Sequence, residues 1–98
     1  MTGEICEHFH IAASHPALAG HFPDNPIVPG VILLERVAAA ARRAFAVELT
    51  GLPQVKFLHP LRPGETVELR IERSAASARF SIRHGREFVA TGMLELAP

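Results

Sequence analysis

Cysteine is scarce in this chain: Cys6 stands alone among 98 residues, so no internal disulfide can close and no cysteine-rich metal site can form. A lone thiol of this kind is expected to pack as a small apolar side chain. Net charge is missing too. Ten basic residues balance ten acidic ones and are spread along the chain, so the field that steers proteins onto nucleic acid is absent. No apolar run approaches the roughly 20 residues of a membrane span. The first residues, MTGEICEHFH, have neither the basic end nor the apolar core of a secretory signal. These absences argue against nucleic acid as a partner and against a membrane span, and they make the cytoplasm the default location.

What is present is apolar. Hydrophobic residues make up 48% of the composition, in a length that allows one domain, 1–98, and no second module. A chain this short buries only roughly 65% of its unfolded surface as a monomer. Such an excess of apolar side chains predicts a subunit interface. Nine of the ten basic residues are arginine, which suits local recognition of carboxylate or phosphate groups better than a diffuse cationic surface.

Residues 4–12, EICEHFHIA, alternate loosely between polar and apolar and predict a strand. From Ser14 to Gly30 the chain carries Pro16, Pro23, Pro26 and Pro29 with Gly20 and Gly30, which predicts a long, stiff loop without regular structure. A helix is expected over 31–49, VILLERVAAAARRAFAVEL, which has no internal Gly or Pro and begins just after Pro29 and Gly30. Val31, Leu34, Val37 or Ala38, Ala41 and Phe45 fall at helical spacing, and the run Ala38–Ala41 makes the helix thin enough for close packing. The second half then alternates with period two in QVKFLHP, ETVELRIER, SARFSIRH and REFVATGMLEL, separated by turn chemistry at RPGE (62–65) and HGR (84–86). The order strand, loop, helix, antiparallel meander predicts an α+β domain whose sheet curls around one long helix.

Chemistry concentrates in GHFPDNPIVPGVILLE, residues 20–35. His21 sits in a proline-stiffened loop that loses little entropy on folding, so its imidazole is held cheaply and suits a general base. It reads equally as an ordinary loop histidine. Gly30 opens the helix, where backbone N–H groups lack intrahelical partners and carry partial positive charge. Without a Cβ it admits close approach of an oxyanion such as an enolate-like thioester carbonyl; Pro-Gly is also ordinary helix-start punctuation. Glu35 lies one turn beyond Val31, either solvated or turned into the buried face as a proton donor. Base, oxyanion donor and acid within fifteen residues match what is needed to remove a proton beside a carbonyl and expel a β-hydroxyl.

This stretch closely resembles the signature of the hot-dog-fold 3-hydroxyacyl-acyl-carrier-protein dehydratases, the FabZ/FabA group, in which a GHFP histidine precedes a PG turn and an acid on the central helix. His21 to Gly30 is nine positions and His21 to Glu35 fourteen, as in that motif. VKFLHPLRPGETVELRIE (55–72) is similar to the family's next strand and PGD-type turn. The resemblance implies a hot-dog fold of about five antiparallel strands around the helix, with His21 taking the C2 proton, Glu35 assisting departure of the 3-hydroxyl, and the Gly30 amide polarising the carbonyl. It further implies a homodimer with histidine and acid of one site on different subunits, an acyl carrier protein as partner, and no cofactor. Phe22, Val28, Pro29, Leu33 and Phe57 are expected to line the acyl groove. The family's glycine after HFP is replaced by Asp24-Asn25, and Ala39 occupies the place of a helix glutamine. In size the chain resembles short dehydratases of aryl-polyene and related lipid clusters.

Arg42, Arg43 and Arg62 are candidates for contact with an acidic carrier protein, or are simply solvated. His8, His10, His15, His59 and His84 fit no metal spacing with cysteine partners, His8-x-His10 on a strand is at best a weak zinc pattern, and no metal is expected. Two rival functions stay open: a hot-dog acyl thioesterase and a non-catalytic subunit that binds acyl carrier protein.

Overall fold

The computed structural model of the protein describes residues 2–18 and 27–97. Its elements are β1 (Thr2–Phe9), a single 3₁₀ turn at Pro16–Leu18, α1 (Gly30–Phe45), β2 (Leu49–Phe57), β3 (Val67–Ser74), β4 (Ser77–His84) and β5 (Glu87–Leu96). All five strands join one antiparallel sheet in the order β1-β3-β4-β5-β2.

Only β3, β4 and β5 form the expected meander. They are joined by tight turns at 75–76 and 85–86, where Ala75 (φ 55°) and Gly85 (φ 60°) take the left-handed conformation that a short hairpin demands. β2 does not pair with β3. The connection 58–66 contains Pro60 and Pro63, which cannot donate to a ladder, and it carries the chain across the sheet from the β2 edge to β3, which lies between β1 and β4. Within it the RPGE turn forms as expected: Gly64 adopts φ 88°, and the Arg62 N–H donates to Oε1 of Glu65 at 2.8 Å.

The helix is shorter than the sequence suggests. It ends at Phe45, not at residue 49, because Ala46 turns left-handed (φ 54°) and donates its N–H to the Arg42 carbonyl. Alanine there is no recognisable stop signal, and the released residues from Leu49 start β2. Pro53 is tolerated in β2 because this is an edge strand whose register breaks on either side of Gly51.

The buried face of α1 is also rotated from the expected stripe. Ile32, Leu33, Val37, Ala40 and Ala41 are buried, Leu34 and Phe45 only partly, and Val31 is 61% exposed. Against that face lie Val67, Leu69 and Ile71 of β3, Ala78, Phe80 and Ile82 of β4, and Val89, Ala90, Leu94 and Leu96 of β5. The alternate residues of β3, Glu68, Arg70 and Glu72, point to the opposite side of the sheet, as the period-two pattern requires. Cys6 departs from expectation: it is exposed. In β1 the odd positions Ile5 and Phe9 turn to the core, so Cys6 stands on the outer surface opposite Arg70.

Candidate functional site at the helix start

Pro29 caps α1 in an extended conformation (φ −60°, ψ 142°), and among the described residues no side chain caps the helix start. The Ile32 N–H returns to the Pro29 carbonyl at 3.0 Å. The N–H groups of Gly30 and Val31, one position earlier, precede the first residue that such a turn can satisfy. Partial positive charge therefore gathers at the point where the helix opens.

That point faces a cavity of about 330 Å³. Val28, Pro29, Gly30, Leu33 and Phe57 all line it, so five residues selected from the sequence meet in one place although Phe57 comes from the sheet edge. Ile27, His59, Pro60 and Leu61 complete the wall. The two sides are stitched together by the Val28 N–H, which donates to the Leu61 carbonyl at 2.7 Å. Glycine at position 30 is a matter of close approach: a Cβ there would stand 2.5 Å from Cζ of Phe57. The ring occupies the space beside the helix start and is itself 54% exposed on the single chain.

His21 and Phe22 lie outside the described residues. Glu35 is exposed on the single chain, on the same helical side as exposed Val31 one turn earlier. The arginines lie elsewhere. Arg42 and Arg43 occupy the last turn of α1, roughly 18 Å along the axis from Gly30, and both are engaged within the chain. Nε of Arg42 lies 3.1 Å from Glu48, and Arg43 grips both carboxylate oxygens of Glu7 at 2.9 and 3.0 Å. Among the described residues the Arg62 guanidinium has no ion pair, which leaves it the freest of the three for an outside partner.

Sequence reasoning overlooked His59. It was legible as the residue before Pro60 at the end of a strand, a position held extended by the proline ring, but nothing local shows that this end of β2 returns to the helix start. Among the described residues no three metal-ligating side chains come together.

Comparison with known proteins agrees with the geometry. The family model for ApeI-like proteins, described as ApeI dehydratase, matches residues 2–93. A 3-hydroxyacyl-[acyl-carrier-protein] dehydratase FabZ of Chlamydia trachomatis is 31% identical over 101 aligned positions, covering 92% of this chain; the chain spans 66% of that relative's length. Among solved structures, the dehydratase heterocomplex ApeI:P from Xenorhabdus doucetiae superposes with a TM-score of 0.86 at 25% identity, over 97% of this chain and 88% of the other. The fluoroacetyl-CoA thioesterase FlK, at 21% identity, a TM-score of 0.77, and coverage of 98% and 84%, shares the fold.

Proposed function

The chain belongs to the ApeI-like dehydratase family, and from that premise we propose that it removes water from a 3-hydroxyacyl thioester carried on acyl carrier protein, yielding the trans-2-enoyl thioester without a cofactor. His21 abstracts the C2 proton. The electron pair moves toward the thioester carbonyl, whose oxygen is stabilised by the Gly30 N–H at the positive end of α1. Collapse of that enolate expels the 3-hydroxyl, which takes a proton from Glu35 and leaves as water. The observation that carries this reading is the helix start, capped by no described side chain and opening onto an apolar cavity, at the spacing from His21 and Glu35 that the family motif has.

The same reading calls for a homodimer, and the surface supports it. Val31, Leu52, Phe57 and Leu58 are exposed large apolar side chains, three of them on β2 or just past its end, and among the described residues β2 is an edge strand with one side unpaired. An edge of this kind invites pairing with a second chain, which would cover Val31 and bring the partner's loop toward Glu35. No described helix is long and apolar enough to cross a membrane, and a cytoplasmic location goes with the reaction.

A 3-hydroxyacyl thioester mixed with the purified protein is expected to give rising ultraviolet absorbance from the conjugated enoyl product. Release of free thiol without that rise would instead mark a thioesterase. No reaction by the protein alone, with reaction restored by a second hot-dog subunit, would mark a partner-dependent or purely binding role.

A further inference from the structure

The cavity beside the helix start is apolar on nearly every side. Ile27, Val28, Leu33, Phe57 and Leu61 offer hydrocarbon, and His59 brings the one ionisable side chain of the described lining. Its ring is more than half exposed, which sets it at the rim, and it is held: Nε2 lies 2.7 Å from Oε2 of Glu87. The main chain is anchored as well, since the N–H groups of Leu58 and His59 both donate to the Val89 carbonyl, at 2.9 and 3.3 Å. Backbone and side chain thus pin this wall of the cavity to β5. In a neutral imidazole one nitrogen donates and the other accepts. With Nε2–H directed to the Glu87 carboxylate, the acceptor is Nδ1.

A thioester bound with its carbonyl at the Gly30 amide divides the site. Its acyl chain belongs in the hydrocarbon interior, and its thiol side must leave past the rim. In a pantetheine-type thiol the first hydrogen-bonding group beyond sulfur is an amide N–H two carbons away. We infer that Nδ1 of His59 accepts a hydrogen bond from this amide, so that the site recognises the cysteamine end of the carrier arm as well as the acyl chain. Glu87 is a positioning residue: it holds the ring and selects the tautomer that leaves Nδ1 as acceptor. This inference rests on the dehydratase reading for the place of the thioester.

The test reads binding, so that it stands apart from turnover. Isotope-labelled protein is titrated in mildly alkaline buffer, followed by nuclear magnetic resonance, with hexanoyl-N-acetylcysteamine and with an S-butyl hexanoyl thioester that lacks the amide. Wild type is expected to bind the first about fivefold to tenfold more tightly, the worth of one neutral hydrogen bond. His59→Ala is expected to erase that preference, and Glu87→Ala to reduce it. The amide-free ligand doubles as a check that each variant is folded. Equal weakening of both ligands in His59→Ala, an unchanged preference, or no preference in wild type would overturn the inference. If the preference behaves as expected while no 3-hydroxyacyl thioester is dehydrated, the inference stands and the catalytic reading falls.

Discussion

Replacing His21 by alanine is expected to lower kcat by about 10²- to 10⁴-fold, the usual worth of a positioned general base, while the chain stays folded. Deprotonation at C2 is the step that the thioester carbonyl makes feasible, and without the imidazole only water remains to take the proton. Glu35→Gln keeps the shape of the acid and removes its proton, so a loss of about 10²-fold or more is expected there as well. The pair also tests the architecture. If histidine and acid of one site come from different chains, co-expression of the two inactive variants creates mixed dimers in which one site is damaged twice and the other is intact. Random assortment makes half of the dimers mixed, so about a quarter of wild-type activity should return. Restoration of that order is expected in a steady-state assay of the co-purified mixture. No restoration would place both groups on one chain or remove one of them from the chemistry, and an unchanged rate in His21→Ala would remove the assigned base outright.

The second large effect concerns stability. Gly92→Ala is expected to destabilise the fold by about 2–4 kcal/mol and to lower Tm by about 10 °C or more. Gly92 lies in β5 between β2 and β4, paired with Val55 on one side and Phe80 on the other. A Cβ there would come within 2.5 Å of the Gln54 carbonyl oxygen and 2.6 Å of Cε1 of Phe80. The ring has no room to retreat, being a fully buried part of the core, and the carbonyl belongs to a strand whose register has just shifted between Gly51 and Gln54. Both neighbours must move for one methyl group. Trimming the ring in a Gly92→Ala, Phe80→Leu double variant should recover part of the ring clash but none of the clash with the carbonyl, so the two changes should combine non-additively. Thermal unfolding followed by circular dichroism measures this; an unchanged Tm in Gly92→Ala would show that the strand absorbs the methyl group freely.

Much of the architecture was written in local pattern. β3 is legible because Val67, Leu69 and Ile71 alternate strictly with Glu68, Arg70 and Glu72, and a half-buried strand requires that period. The start of α1 is legible because Pro29 and Gly30 end the proline-rich loop just before a long run of helix formers free of Gly and Pro. Its end is not: the helix stops where Ala46 turns left-handed, and alanine is not a residue that announces such a turn. The rotation of the buried stripe, with Val31 outward and Ile32 and Leu33 inward, has a similar origin. An alanine-rich helix offers two adjacent faces of nearly equal hydropathy, and packing against the sheet selects one.

The site divides in the same way. Gly30, Val28, Pro29 and Leu33 are close in sequence, so a short motif names them together. Phe57 was reached through likeness to the family's next strand, and His59, two residues later, was passed over. That Arg42 pairs with Glu48 and Arg43 with Glu7 was likewise not legible in the sequence.

Residue order alone was enough to announce an α+β chain built on one helix and a run of strands, because periodicity and proline or glycine punctuation act over a few neighbouring residues; the dehydratase motif at the helix start came from its resemblance to a known family. The sheet order β1-β3-β4-β5-β2, the exposure of Cys6, the need for a bare Cα at Gly92 and the return of His59 to the helix start belong to the folded chain. Each depends on contact between segments far apart along the backbone, and such contacts are settled by packing and hydrogen-bond satisfaction across the whole sheet.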